Sequence, residues 1–380
     1  MIKLCIPDIK ELEIASAVDA LKSGWLAHGP YNKKFEEKFA DFVGVKHAIS
    51  CNSCTSALFL VLKALDITGE VIIPSFSFVA TANAVVTAGA IPRFVDIDYK
   101  TCNIDPKNIE SAITPKTQAI MPVHFGGQCC EMDKIMEIAD KYDLVVLEDT
   151  AETMGGKFNN KQAGSFGIGC FSFFPTKNIT TGEGGMITTN DDDLARNCRA
   201  LLGHGIDSTT FEREKNEMPW YRSAVMPGFN FRMSNVLAAI GYEQIKRIDE
   251  LNKLRQDHAN YYLDNLNEIN EIDLPYSFEK CEHVYQMFTI KLSNIIDRNL
   301  FVKQLNKKGI GASVHFYPPI HQQPFYQKHT EWIAGKLDIT EEVSKRIVTV
   351  PLYPSMKRDE LNLIIEAIKM CLNQTNPKYV

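Results

Sequence analysis

Residues 171–185, "FSFFPTKNITTGEGG", join an apolar run to a loop that holds a single lysine. The run is broken at Pro175, Lys177 follows two residues later, and threonines and glycines come behind it. A lysine after a strand is usually a solvated lysine. In an open parallel sheet, however, ligands bind at the carboxyl ends of the strands, and a lysine held at that edge can carry out amine chemistry.

Short apolar runs and helical patterns alternate on both sides of this stretch. The strand-like runs are "HAIS", "EVIIPSF", "PRFVDID", "QAIMPVHF", "DLVVLED", "CFSFF" and "GMITT". Continuous β-branched runs separated by helices are typical of a mostly parallel sheet that is covered on both faces. We therefore predict an α/β fold with a doubly wound sheet within residues 30–235, in a large domain of residues 1–235 that includes the N-terminal segment.

Residues 236–380 are predicted to form an interdomain helix and a smaller C-terminal α/β domain. Ser234 is a suitable N-cap, and Ile245, Ile248 and Leu251 then recur every third residue, which predicts one long helix between the domains. This smaller part contains the segments "VYQMFTIKL" and "GASVHFYPP" and two predicted amphipathic helices, "ITEEVSKRIV" and "RDELNLIIEAIKMCL".

Composition limits the class of protein. A chain of 380 residues, 45% of them hydrophobic and 23% charged, is long enough for two cores. Its net charge of −6 and the lack of any basic run argue against a nucleic-acid partner. No apolar run has the length of a signal peptide or a membrane span, so we expect no membrane partner and a cytoplasmic location.

The ten cysteines include one C-x-x-C pair, Cys51 and Cys54. No second pair follows at zinc-like spacing, so we expect reduced, mostly buried thiols and no metal site.

Polar groups follow several of the predicted strands. "DLVVLED" ends in Glu148 and Asp149, "VHFGG" places His124 after another run, and "CFSFF" contains Ser172 and ends just before Lys177. Taken singly these positions are weak signals, because an acidic residue at the end of a strand often caps the next helix. Since they share one edge of the sheet, we expect an amine and at least one carboxylate to lie close together.

An anion site is predicted beside them. "CNSCTSAL" places Ser53, Cys54 and Thr55 at a helix N-terminus, where free amides and hydroxyls suit a phosphate, although an N-cap serine is usually only a cap. An amine, a carboxylate and an anion cradle on one edge are what pyridoxal 5′-phosphate (PLP) requires. The amine forms a Schiff base, the carboxylate keeps the pyridine nitrogen protonated, and the helix N-terminus holds the phosphate.

With these motifs in place, the chain resembles the DegT-type nucleotide-sugar aminotransferases of fold type I over nearly its whole length. The matching segments include "NSCTSAL", "IIPSFSFVATANAV", "LEDTAE", "FSFFPTKNITTGEGG", "GFNFRMSNVLAAIG" and "VHFYPPIH". The resemblance implies a PLP-dependent enzyme that moves an amino group from glutamate to a keto-sugar. The expected acceptor is a nucleotide-linked 4-keto-6-deoxy sugar used for surface polysaccharide or related glycans.

The resemblance also implies roles for single residues. Lys177 matches the Schiff-base lysine, Asp149 the partner of the pyridine nitrogen, and Phe78 the ring that stacks on the cofactor. Asn230 matches an asparagine that reaches the phosphate of the neighbouring subunit's cofactor, which implies a homodimer with shared active sites. The phosphate cradle corresponds to Ser53, Cys54, Thr55 and Ser172, and the substrate-facing side chains to Arg232, His315 and His321.

Two positions depart from the pattern of that family. Glu152 stands where glutamine is usual, near the cofactor's phenolic oxygen, so its carboxylate would have to be protonated or turned away. Cys54 stands where glycine is usual in the phosphate turn, which is harmless if only backbone amides touch the phosphate.

Several alternatives stay open. Relatives that remove a sugar hydroxyl carry histidine in place of the lysine, so Lys177 favours transamination. A non-catalytic regulatory relative should first lose the lysine or the aspartate, and an enzyme of amino acids or lipid precursors is opposed by "GFNFRMS" and "VHFYPPIH". An octulosonate or a cyclitol ketone remains a possible acceptor. Residues 206–228 form a charged, aromatic insertion that is either a solvated loop or a cover for the substrate.

Overall fold

The structure, a computed structural model, describes residues 1–206 and 220–375. The helices are α1 (Glu11–Lys22), α2 (Pro30–Val43), α3 (Cys54–Ala64), α4 (Ala80–Ala88), α5 (Pro106–Ala112), α6 (Met132–Tyr142), α7 (Asp192–Leu202), α8 (Asn235–Ile245), α9 (Ile248–Leu266), α10 (Arg298–Lys307), α11 (Asp338–Arg346) and α12 (Arg358–Thr375). The strands are β1 (His47–Cys51), β2 (Glu70–Pro74), β3 (Ile91–Val95), β4 (Thr117–Ile120), β5 (Val145–Asp149), β6 (Lys157–Phe158), β7 (Lys161–Gln162), β8 (Ile168–Ser172), β9 (Gly185–Thr189), β10 (Ile272–Asp273), β11 (Cys281–Glu282), β12 (Phe288–Leu292) and β13 (Ile347–Val350). Within these residues, no helix is both long and apolar enough to cross a membrane.

Seven strands form the main sheet, in the order β1-β9-β8-β5-β4-β2-β3. The pairs β2–β3, β2–β4, β4–β5 and β5–β8 are parallel, whereas β9 runs antiparallel to both of its neighbours. All seven strand-like runs of the sequence are in this sheet, so the prediction of a mostly parallel sheet is confirmed. Because β9 runs in the opposite direction, its first residues lie at the edge where the other six strands end.

Both faces of the sheet are covered, as the continuous apolar runs predict. Successive residues of one strand pack on opposite faces: Ile73 contacts the core beneath α3, α4 and α7, and Ile72 contacts the core beneath α5 and α6. A third hydrophobic cluster packs α2 and α8 against β8 and β9. In this cluster the rings of Phe39 and Phe171 form an edge-to-face contact with centroids 4.9 Å apart.

The C-terminal part has a core of its own around an antiparallel sheet, β10-β12-β13, covered by α9, α10 and α12. The N-terminal segment joins this part, since Ile2 forms a bridge with Ile310 and Leu352 donates its backbone N–H to Leu4. The two-stranded hairpin β6–β7 pairs with β11 and ties the two parts together. The division of the chain at residue 235 stays a prediction.

The single long interdomain helix predicted after Ser234 is wrong, because the chain forms two helices there. α8 ends at Ile245, and Arg247 has φ −108° and ψ 4° before α9 begins. The guanidinium of Arg247 lies within 2.7 Å of carboxylate oxygens of Asp8 and Glu13 on the N-terminal segment and α1. These contacts across the fold favour the break, and the periodicity of the apolar residues does not reveal them. Most of the insertion at residues 206–228 lies outside the described residues.

Candidate active site

A cavity of about 580 Å³ lies at the edge where the parallel strands end. It brings together nine of the twelve residues that the sequence singles out. These are Ser53, Cys54, Thr55, Phe78, Asp149, Glu152, Ser172, Lys177 and His315. The topology explains this convergence, because β1, β2, β5 and β8 all deliver their last residues to the same edge.

Lys177 is fixed to the wall of this cavity. The loop after β8 is held by hydrogen bonds from the backbone N–H of Phe173 to Gly184 and of Thr181 to Phe173, 3.0 Å each. The side chain of Lys177 is only 15% exposed, and its Nζ lies 3.4 Å from Oε1 of Glu152. It is therefore not a solvated lysine.

Asp149 is the carboxylate that reaches the cavity. It ends β5, is 4% exposed, and accepts hydrogen bonds from Thr81 Oγ1 (2.8 Å) and from the backbone N–H of Ala151 (3.2 Å). Burial raises the pKa of Asp149 above its ordinary value although both hydrogen bonds lower it. A cationic ligand beside this carboxylate would relieve the cost of that burial.

The neighbouring Glu148 has a structural role instead. It is fully buried, accepts hydrogen bonds from the backbone N–H groups of Gly164, Phe166 and Gly167, and lies 3.0 Å from Nε2 of His124. Nδ1 of His124 accepts from the backbone of a residue six positions on, so Nε2–H donates to Glu148. Neither residue lines the cavity.

The predicted anion cradle is the start of α3. Ser53 is its N-cap and accepts from the backbone N–H of Ser56 at 3.1 Å. A Cβ on Gly185 would lie within 2.6 Å of the backbone of Ser53 and Cys54, so only glycine lets β9 pass this close beneath the turn. The thiol of Cys54 donates to the carbonyl of Cys170 at 3.5 Å, which points it at the sheet and leaves the backbone amides of the turn free of it.

Glu152 is not turned away from the cavity. Its Oε2 accepts from the backbone N–H of Gly126 at 3.1 Å, and its Oε1 faces Lys177. The side chain is 7% exposed. The departure from glutamine therefore produces a buried ion pair with the lysine at this position.

Three predicted residues do not line the cavity. Arg232 Nε donates to Oδ1 of Asn230 at 3.2 Å, and this pair lies beside the end of β1, where the backbone of Arg232 bridges Cys51. His321 is 8% exposed, and its Nδ1 lies 2.7 Å from the hydroxyl of the buried Ser75. In this chain His321 ties residues 320–322 to the end of β2.

The cavity also has lining residues that the sequence analysis missed. Thr81 supports Asp149, Glu183 adds a carboxylate, and the rings of Phe174 and Tyr317 are 45% and 54% exposed. A hydroxyl in the first turn of the helix after β2 was a usable signal for Thr81. Phe174 and Tyr317 gave no such signal, because the sequence alone does not distinguish an exposed aromatic ring from one in the core.

The residues present fit PLP. A half-buried amine, a buried carboxylate and the free amides at the start of α3 line one cavity, and a glycine keeps the floor of the cradle open. The exposed ring of Phe78, 63% accessible, offers a flat surface at the same cavity. The fold and the cavity thus define the class of the protein as a PLP enzyme of fold type I.

Comparison with known families assigns the chain to one family within this class. The sequence model of the DegT/DnrJ/EryC1/StrS aminotransferase family matches residues 7–369. The chain belongs to this family, and the resemblance noted from its motifs is confirmed. It is a PLP-dependent sugar aminotransferase.

Individual relatives match along almost their full lengths. The chain is 39% identical over 371 residues to the spore coat polysaccharide biosynthesis protein SpsC of Bacillus subtilis, covering 96% of this chain and 95% of that protein. It is 38% identical over 378 residues to the GDP-perosamine synthase of Caulobacter vibrioides, covering 98% of each. The solved structure of Helicobacter pylori PseC, an aminotransferase involved in the biosynthesis of pseudoaminic acid, matches with a TM-score of 0.92 at 26% identity, over 98% of this chain and 99% of that chain.

Proposed function

We propose that the protein transfers an amino group from glutamate to the ketone of a nucleotide-linked 4-keto-6-deoxy sugar, for surface polysaccharide or a related glycan. The observation that carries the proposal is the convergence of Lys177, Asp149 and the turn at Ser53 on one cavity. Two relatives support a nucleotide-linked sugar and a polysaccharide pathway, since one is a GDP-perosamine synthase and another is a spore coat polysaccharide biosynthesis protein. All ten cysteines lie in the described residues as free thiols, which supports a cytoplasmic location.

The site residues then divide the work. PLP, when bound, supplies an aldehyde that carries the amino group and a ring that withdraws electrons. Lys177 holds the cofactor, Asp149 keeps positive charge on its ring nitrogen, and Phe78 covers its face. The amides and hydroxyls of Ser53, Thr55 and Ser172 hold its phosphate, and the thiol of Cys54 takes no part.

The charge of the cavity supports a shared active site. The described lining has three carboxylates, Asp149, Glu152 and Glu183, against the single ammonium of Lys177. A nucleotide-linked sugar brings a diphosphate, so cations from outside this lining have to meet it. Asn230 is exposed and Arg232 is partly buried at the end of β1, and neither residue lines the cavity. This position fits a homodimer in which the pair serves the partner's site.

The two histidines predicted to face the substrate have different roles. His315 lines the cavity and faces the substrate there, whereas His321 supports it indirectly through the segment that carries Tyr317 and Gln323. Lys177 argues against removal of a sugar hydroxyl, the reaction for which relatives carry histidine at this position.

A mass-spectrometric screen tests this function. The purified protein with PLP and heavy-nitrogen glutamate is offered UDP-, GDP- and dTDP-linked 4-keto-6-deoxy sugars, an octulosonate and a cyclitol ketone. We expect the label in one nucleotide-linked amino sugar, and none with Lys177→Ala, which removes the amine and leaves the cavity. Labelling of the octulosonate or the cyclitol alone would replace the acceptor, and cofactor binding without amination of any ketone would overturn the proposal.

A further inference from the structure

A second, smaller cavity adjoins the active site. This chamber has a volume of about 60 Å³ and shares Glu152, Thr176, Lys177 and His315 with the large cavity. Its other walls come from the N-terminal segment and the C-terminal part of the chain. They are Leu4, Cys5, Gln286, Met287, Thr349, Val350 and Leu352.

Gln286 marks the chamber as a polar site. The side chain is 6% exposed, and its Nε2 donates to the carbonyl of Thr176 at 2.8 Å. Its Oε1 is buried and has no hydrogen-bond partner among residues 1–206 and 220–375. A buried amide oxygen normally has a hydrogen-bond partner, and a chamber of this size has room for water, which needs about 10–15 Å³.

His315 lines the chamber together with Lys177 and has a ring nitrogen that can take up a proton. Its Nδ1 lies 2.7 Å from Oγ1 of Thr349. Burial lowers the pKa of His315, the ammonium of Lys177 lowers it further and the carboxylate of Glu152 opposes them, so the imidazole is neutral at neutral pH. When Nδ1–H donates to Thr349, the remaining ring nitrogen is free to accept a proton.

We propose that the chamber is a binding site for ordered water that exchanges protons with Lys177, and that Gln286 positions this water. The water donates to Gln286 Oε1 and lies between the lysine amine and the imidazole of His315. The ammonium gives one proton to the water while the water gives one to Nε2 of His315. The lysine thus loses one proton, the histidine gains one, the water is unchanged, and the reverse transfer restores the start.

This inference rests on the proposed function, because only an unprotonated Lys177 is a nucleophile. It adds a proton exchange, through water in the smaller chamber, between Lys177 and His315, which line both cavities. Gln286 does not line the substrate cavity, and its amide N–H is bonded to the backbone of Thr176, so it is a positioning residue that acts through the water.

A crystal structure of the full-length holoenzyme gives the first test. We expect an ordered water within hydrogen-bond distance of Gln286 Oε1. A dry chamber, or an amide oxygen of Gln286 turned onto a protein donor, would overturn the inference. This readout does not depend on turnover. Failure to bind the cofactor on Lys177 would defeat the proposed function, whereas the electron density at Gln286 decides the water site in either case.

Kinetics give the second test, with a matched control. Gln286→Met removes the amide at nearly equal length. Gln162→Met, in β7, removes the second glutamine Oε1 that is buried and unpartnered in the part of the chain that the structure describes. In single turnovers with glutamate we expect Gln286→Met to be about tenfold slower, with a larger solvent deuterium isotope effect. This loss is smaller than the hundredfold or more expected for a group that transfers the proton itself, because Gln286 only positions the water. The control should change neither the rate nor the isotope effect.

A slower Gln286→Met enzyme with an unchanged isotope effect would indicate a purely structural role and overturn the inference. Thr349→Val, which keeps the shape of the side chain and removes the partner of His315, serves as the second variant if Gln286→Met does not fold. We expect the same increase of the isotope effect from it, and its absence would count equally against the relay.

Discussion

At position 149 a carboxylate is kept in a setting that disfavours its charge. Burial raises the pKa of Asp149, and the hydrogen bonds from Thr81 and Ala151 only partly oppose this. We expect Asp149→Asn to bind PLP through the unchanged phosphate cradle but to lose activity by a factor on the order of hundreds or more, as when an electrostatic catalytic group is removed. Absorbance of the bound cofactor and the turnover rate measure the two effects separately.

Asp143→Asn is the matched control. It makes the same chemical change at the exposed end of α6, where the residue has φ 53° and asparagine is tolerated. It should leave the turnover rate unchanged. A loss of only a few-fold in Asp149→Asn would mean that the ring nitrogen of the cofactor lies elsewhere.

Much of the site was predictable because the direction of the strands determines at which edge of the sheet the residues that follow them lie. Lys177, Asp149 and the turn at Ser53 each follow a strand, and parallel strands end at one edge. The strand position alone did not decide between Glu148 and Asp149, and the family resemblance selected Asp149. The choice depends on which side of β5 meets the backbone of Gly164 and Gly167. Such tertiary partners lie outside any local pattern.

At the scale of elements, the strands of the main sheet were predictable from local sequence, whereas the break between two helices depends on distant residues. The seven strands of the main sheet are continuous apolar runs, and each was identified from its own residues. The break between α8 and α9 was missed because Arg247 is held by Asp8 and Glu13, more than two hundred positions away in the chain. The two-residue strands β6, β7, β10 and β11 are too short to carry a periodic signal.

Glu36 connects three elements and should contribute strongly to stability. It lies on α2, accepts from the backbone N–H and the hydroxyl of Ser50 on β1, and pairs with Arg199 of α7 at 2.8 Å. Burial alone would raise its pKa, but the guanidinium of Arg199, together with His28 and the hydrogen bonds, lowers it to about 2.

The pKa of Glu36 is lower in the folded than in the unfolded chain, so its contribution is present above about pH 4.5 and is lost as the pH falls toward 2. We expect Glu36→Gln to lower the free energy of unfolding at pH 7 by about 3 kcal/mol, since each pKa unit is worth about 1.36 kcal/mol. Urea unfolding of both proteins from pH 7 to pH 3 measures this difference, which should shrink as the pH falls.

Glu37→Gln makes the same change one residue away. The side chain of Glu37 is 65% exposed and forms only a surface pair with Lys33, so we expect little change in stability at any pH. A difference between wild type and Glu36→Gln that stays constant down to pH 3 would show that the hydrogen-bond geometry, and not the charge, stabilises these three elements.

At the scale of the whole molecule, the open question is whether one chain makes a complete active site. The described cavity is rich in carboxylates, and the pair of Asn230 and Arg232 at the end of β1 does not line it. A closed dimer with two-fold symmetry would place this pair of each chain at the cavity of the other.

Mixing two inactive variants decides between a shared and a self-contained site. Lys177→Ala removes the amine of its own cavity, and Asn230→Trp should block the cavity of the partner. In a mixed dimer one site would then carry both lesions and the other neither. After subunit exchange, random pairing should restore about a quarter of the wild-type activity. Each variant alone, taken through the same exchange, is the control. If the mixture stays inactive although mass spectrometry shows mixed dimers, or if active enzyme sediments as a monomer, Asn230 serves its own chain and the shared site is wrong.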